Sequence, residues 1–146
     1  MLIIEKILLL KNSDIFKNCS EVDLIDIASI CHENHVDKGV TLFKKADPGN
    51  CMYFIYSGQV SIHEGEHQLA LLTENEIFGE LSLLDSESRS ASATTETYCI
   101  LLKIEQEPFY DVIATSTEIL KGIMRTLCKR LREQDRITIE MKKSIQ

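Results

Sequence analysis

Basic residues are in short supply in this sequence: 16 Lys and Arg stand against 23 Asp and Glu, a net charge of −7. A nucleic-acid-binding surface needs an excess of cations on one face, so the balance argues against one on this chain alone. It also means that an anionic ligand has to be held by local features, because the overall field repels it. No C-x-x-C pair occurs among the five cysteines, Cys19, Cys31, Cys51, Cys99 and Cys128, which are scattered and odd in number. They read as reduced thiols in a reducing compartment. Cys31, His32 and His35 lie close together, but no second cluster at matching spacing supports a metal site. Apolar runs of membrane length are missing as well. Leu2 to Leu10 is interrupted by Glu5 and Lys6, has no basic leader or small-residue cleavage site, and falls far short of the ~20 residues a span needs. The expectation is a cytoplasmic chain with no membrane segment.

What is present fits one domain over 1–146. A chain of 146 residues with 44% hydrophobic and 27% charged residues buries a respectable core. Residues 1–34 read as helical. Ile3, Ile7 and Leu10 form one stripe, Ser13-Asp14-Ile15-Phe16 makes a short turn, and Ser20 caps a second helix with Asp23 three residues on. That second helix offers Val22, Leu24, Ile25, Ile27, Ala28 and Ile30 for core packing.

Over 35–104 the texture changes to short apolar or alternating runs. Thr41–Phe43, Met52–Tyr56, Gln59–His63, Leu69–Leu72 and Tyr98–Ile104 are separated by Gly39, Asp47-Pro48-Gly49-Asn50, Gly58, Gly65 and Gly79. Regular turn signals between short strands point to an antiparallel sandwich or barrel. His63 and His67 flank a hairpin turn at Gly65 and read as solvated. Over 105–146 the chain turns helical again. Pro108 suits the first turn of a short helix through Val112, and Ser116 or Thr117 opens a longer one reaching about Lys143, roughly 40 Å at 1.5 Å per residue. Its stripe of Leu120, Met124, Leu127, Leu131, Gln134, Thr138, Met141 and Ile145 covers the barrel in its first half. In its second half the stripe offers a homodimer seam that Gln134 and Thr138 weaken.

The stretch with the most chemistry runs from Ile77 to Ala93. A strand ends at Phe78, Gly79 turns the corner, a short helix runs through Leu84, and a polar loop leads to a strand from Arg89. Glycine permits a strained corner and a close approach of the backbone to a ligand. The amides of Glu80, Leu81 and Ser82 open the helix as unpaired donors for an anion, and Arg89 can add a two-pronged cation. Glu80 beside an anion makes sense where the ligand also carries a hydroxyl for it to accept, with Arg89 neutralising both acids.

Phe78-Gly79-Glu80, then Leu83-Leu84, then Arg89-Ser90-Ala91 resembles the phosphate-binding cassette of cyclic-nucleotide-binding domains. The family includes the catabolite activator protein, the regulatory subunits of protein kinase A and cyclic-nucleotide-gated channels. The resemblance runs from about Asp14 to about Leu131 and rests on the Arg-Ser-Ala nine residues after the FGE. It implies a mainly β fold, an antiparallel jelly-roll (double-stranded β-helix) barrel flanked by N- and C-terminal α-helices, with the cassette at 78–91. It further implies a ligand rather than a cofactor, cAMP or, second, cGMP. Phe78, Gly79, Glu80, Leu81, Ser82, Arg89, Ser90 and Ala91 are the expected binding residues. The amides of Gly79 to Ser82 and the Arg89 guanidinium hold the phosphate, Glu80 accepts from the ribose 2′-hydroxyl, and Ser90 and the Ala91 amide assist. A residue between Leu127 and Gln134 touches the purine, and a glycine in the Gly49 position shapes a turn near the cassette.

The expected function is a cytoplasmic sensor module that transmits ligand occupancy through its terminal helices to an effector the sequence does not name. A transcription factor of the activator-protein kind has a helix-turn-helix after this helix, whereas this sequence stops at Gln146, so DNA binding by this chain alone is not expected. Two other readings stand beside it: a jelly-roll interaction domain with an empty pocket, and a metal-dependent cupin-type enzyme. The four histidines, none spaced H-x-H, disfavour the enzyme.

Overall fold

A computed structural model describes residues 1–145. The chain opens with two helices, α1 (Ile3–Lys11) and α2 (Glu21–Ser29), and the Ser20 hydroxyl accepts from the Asp23 amide at 3.2 Å to cap the second. Eight strands and a short helix follow: β1 (Cys31–Val36), β2 (Thr41–Phe43), β3 (Cys51–Ser57), β4 (Val60–Glu64), β5 (His67–Leu72), β6 (Ile77–Phe78), α3 (Glu80–Asp85), β7 (Ser92–Thr95) and β8 (Cys99–Glu105). Two helices close the fold, α4 (Gln106–Thr115), with Pro108 in its first turn, and α5 (Thr117–Ile145).

The strands form two antiparallel four-stranded sheets, ordered β1-β8-β3-β6 and β2-β7-β4-β5. Each sheet is hydrogen-bonded separately, so the expected barrel is two facing sheets rather than one closed ladder. Strand β8 pairs on both sides, Cys31 opposite Ile104 on one and Met52 opposite Ile104 on the other, which buries its run of Leu101, Leu102 and Ile104. Tyr53, Ile55, Val60, Phe78, Ala93, Cys99 and Leu101 fill one cluster. A second cluster joins the other side of the strands, through Met52, Phe54 and Leu102, to Leu10, Phe16, Leu24, Ile27, Phe109, Ile119 and Ile123 of the helical parts. Phe16 lies at its centre, 5.9 Å from the Phe54 ring and 6.3 Å from Phe109. Fully burying such a ring stabilises the fold by about 1.5–3 kcal/mol.

Four expectations need correcting. The N-terminal helical part ends at Ser29, and Cys31–Val36 is a strand, so the β part starts before residue 35. Its polar residues hide the strand from the sequence, but pairing along the whole of β8 over-rides local propensity. Val22 and Ile25, read as core, are exposed, as is Ile3, while Leu9 joins Leu10 inside. On α5 the face against the body is Ile119, Gly122 and Ile123, joined by Leu127 of the expected stripe, whereas Leu120 and Met124, which the heptad spacing also selected, are exposed. There Gly122 lets the helix approach: a β-carbon on it would stand 3.3 Å from the Ile15 carbonyl oxygen. Finally, Arg89 precedes its strand, which begins at Ser92.

Candidate functional site

The sheets set up a corner where β6 ends beside β3, with Tyr53 opposite Phe78. Gly79 then takes φ 78°, ψ 8°, the left-handed region, and α3 starts at Glu80. A β-carbon on Gly79 would stand 2.6 Å from Nη1 of Arg89 and 3.2 Å from the Cys51 carbonyl oxygen. The corner therefore needs glycine both for its dihedral and for its space. The amides of Glu80, Leu81 and Ser82 occupy the first turn of α3, where no carbonyl one turn back exists to accept them.

The turn before β3 holds both ends of this loop. The Asp47 carbonyl accepts from the Arg89 amide at 2.8 Å, and the Ala46 amide donates to the Arg89 carbonyl at 2.8 Å. Gly49 lies against Ser82, so close that a β-carbon on it would be 2.2 Å from the Ser82 β-carbon. The other end of α3 is tied to α4. Gln106 Nε2 donates to the Leu83 carbonyl at 2.8 Å and the Tyr110 hydroxyl donates to the Leu84 carbonyl at 2.9 Å, satisfying helix-end acceptors.

Arg89 is 5% exposed. Its Nη1 donates to the Gly79 carbonyl at 3.1 Å, and its Nη2 to the Cys51 carbonyl at 2.8 Å and the Cys51 sulfur at 3.2 Å. The guanidinium lies over the Phe43 ring, 4.1 Å from its centroid, a cation–π contact of about 0.5–2 kcal/mol. Phe43 in turn belongs to an aromatic group with Tyr53 and Phe78, the latter two stacked at 5.1 Å. Burial pushes the Tyr53 phenol above its ordinary range, with Arg89 opposing the shift. Among the described residues Arg89 makes no ion pair, and its buried Nε has no hydrogen-bond partner.

Glu80 is held differently from the expectation. Arg130 of α5, not Arg89, takes its Oε1 at 2.9 Å, while Arg89 donates to the Gly79 and Cys51 carbonyls instead. The acid and the arginine of the motif thus line one cavity without touching. That cavity has a volume of about 250 Å³ and is lined by Phe78, Gly79, Glu80, Leu81, Ser82, Arg89, Ser90 and Ala91, all eight expected residues, together with Phe43, Ile62, Leu72 and Ile77.

A cavity walled by a glycine corner, helix-start amides, a carboxylate and a buried guanidinium suits a small molecule with both a charge and a hydroxyl. The family model for the cyclic nucleotide-binding domain matches residues 33–116. The chain belongs to the cyclic nucleotide-binding domain family. The cyclic AMP receptor protein of Thermus thermophilus is 35% identical over 133 residues, covering 86% of this chain and 61% of that protein. The CRP-like cAMP-activated global transcriptional regulator of Mycobacterium tuberculosis is 34% identical over 100 residues, 65% of this chain and 45% of the regulator. The chain thus spans about half the length of these curated relatives. Among solved structures, the N-terminal domain of a transcriptional regulator from Streptomyces coelicolor superposes with a TM-score of 0.79 at 26% identity, covering 88% of this chain and 93% of that one. The cyclic nucleotide-binding domain family implies a cyclic nucleotide as ligand.

Arg130, Phe43 and Cys51 were not singled out from the sequence. Arg130 does fall in the 127–134 window expected to reach the ligand, but its partner Glu80 is fifty positions away and nothing local points to it. Phe43 reads as an ordinary strand residue, and only the folded sheet sets it under Arg89. Among the described residues no three His, Cys, Asp or Glu side chains stand together as a metal set, and no helix is long and apolar enough to cross a membrane.

Proposed function

We propose that this domain is a cytoplasmic regulatory module that takes a cyclic nucleotide, cAMP in preference to cGMP, in the cavity beside α3. Its occupancy is passed on through the terminal helices. The observation that carries the reading is Arg89, a guanidinium in a nearly dry position with no carboxylate beside it and one N–H unpartnered at the wall of a cavity. A buried cation without a counter-charge is unfavourable, and a cyclic phosphate supplies the charge.

In this reading the amides of Gly79 to Ser82 and Arg89 hold the phosphate, assisted by the Ser90 hydroxyl and the Ala91 amide, and Phe78 forms the wall behind. Glu80 keeps Arg130 on Oε1 and offers Oε2 to the ribose 2′-hydroxyl. The preference for cAMP is supported by the Thermus relative, a cyclic AMP receptor protein, and the Mycobacterium relative, a cAMP-activated transcriptional regulator. Transmission has two physical routes, Gln106 and Tyr110 from α3 to α4 and Arg130 from Glu80 to α5. A ligand that binds one arrangement of these helices better than another shifts their populations. The exposed Leu131, Met141 and Ile145 support pairing of α5 with the same helix of a second copy. The module carries out no chemistry of its own, and the net charge supports no nucleic-acid contact by this chain alone.

Calorimetry on Arg89 variants tests the reading. Charge-assisted bonds are worth about 1.5–3 kcal/mol each, so Arg89→Ala weakens cAMP binding by about one to two orders of magnitude. Arg89→Lys is nearly as damaging, because a point charge does not replace the fork. A folded Arg89→Ala protein with undiminished affinity refutes the role.

A further inference from the structure

Where α5 leaves the body it forms a second and larger cavity, about 590 Å³, against the turn that joins α1 and α2. Four cations line it: Lys17 from the turn and Arg125, Lys129 and Arg130 from the helix. Its two acids are already engaged. Asp14 is paired with Lys17 at 3.5 Å, and Glu133 with Arg136, which holds the Glu133 carboxyl below the usual carboxylate range. Arg130 is on Glu80. Arg125 and Lys129, one helical turn apart, have no ion pair among the described residues. Ile137, exposed, lines the distal end and offers an apolar surface there.

This cationic character is concentrated. Half of the chain's 16 Lys and Arg residues fall within α5, against only four of its 23 acidic residues. The rest of the molecule is therefore strongly acidic. A broad polyanion such as a nucleic-acid duplex or an anionic bilayer would meet that acidic body as well as the groove, and the repulsion acts over about 10 Å at ordinary salt. A narrow chain lying along the groove avoids it.

We propose that this groove is a docking site for an acidic, extended peptide segment of a partner protein. Its carboxylates meet Arg125 and Lys129, and an apolar side chain rests on Ile137.

The test is fluorescence anisotropy of the whole chain with a labelled peptide alternating glutamate and leucine. Saturable binding that weakens with added salt is expected. The double variant Arg125→Glu/Lys129→Glu should bind about tenfold or more weaker, since each contact changes from attraction to repulsion. Lys142→Glu/Lys143→Glu makes the same change in net charge at the far end of α5 and should leave the affinity within about twofold. Circular dichroism melting confirms that both variants fold. Equal losses in the two variants would show a field effect without a site and overturn the proposal. So would no binding, equal binding of a lysine–leucine peptide, or tighter binding of duplex DNA or phosphatidylserine vesicles.

Discussion

Replacing Gly49 by alanine puts a methyl carbon 2.2 Å from the Ser82 β-carbon, 2.3 Å from its hydroxyl oxygen and 3.0 Å from the Glu87 carbonyl oxygen. Ordinary contacts between such atoms lie beyond 3.4 Å. A change of rotamer can carry the hydroxyl away, but the Ser82 β-carbon is fixed to its backbone, so α3 itself has to move by about an ångström. Overpacking of this kind destabilises by about 1–3 kcal/mol. For a chain of this size the melting temperature should fall by roughly 3–10 °C. The displacement is aimed at the cavity, because Ser82 lines it and its amide opens α3. Nucleotide affinity should therefore drop with stability. The controlling variant is Ser82→Gly, which removes both offending atoms at a helix-glycine penalty of about 1 kcal/mol. A double-mutant cycle read by thermal melting should show Gly49→Ala costing at least 1 kcal/mol less in the Ser82→Gly background. A Gly49→Ala protein that melts with the parent, or a cycle with no coupling, refutes the idea that this turn sets the position of α3.

Gly79→Ala should also weaken both fold and ligand binding. It places a β-carbon at φ 78°, a penalty of about 1–2 kcal/mol, and pushes on Arg89 Nη1; denaturant titration and calorimetry read the two effects, and full retention of both contradicts the corner as described. Native alkylation followed by mass spectrometry should label Cys128 first, because it is the exposed thiol of the five. Burial pushes Cys31 up to about 12 and Cys19 up to about 11, leaving little thiolate at mildly alkaline pH, so equal labelling of Cys31 and Cys128 would contradict the packing of α2 against β1.

The contiguous parts of the site were the legible ones. Phe78, Gly79 and Glu80 are adjacent, Arg89 follows nine positions later, and local chemistry alone said that a glycine corner before a short helix exposes amides. Turn residues also marked the strand boundaries, and the Ser20 cap is a local event that the structure reproduces. Contacts between distant segments left no comparable trace. The Glu80–Arg130 pair and the Phe43 ring under Arg89 exist only once two sheets and α5 have been brought together, whereas the resemblance did put Gly49 in a turn near the cassette, without naming Ser82 as what it meets. Strand β1 was missed for the same reason, since Cys31–Val36 becomes a strand by pairing with β8 and not by its own pattern. On α5 the stripe was right at Leu127 but off by one residue at Leu120 and Met124, because heptad spacing fits two neighbouring faces of an amphipathic helix. Gly122, which permits the close approach to Ile15, is what selects between them.

Titration calorimetry of the unmodified chain with 3′,5′-cAMP bears most directly on the claim that a buried, unneutralised arginine awaits a cyclic phosphate. Saturable one-to-one binding, tighter than for cGMP and lost with the open-chain 5′-monophosphate, is the expected result. Heats indistinguishable from dilution for both cyclic nucleotides would contradict it.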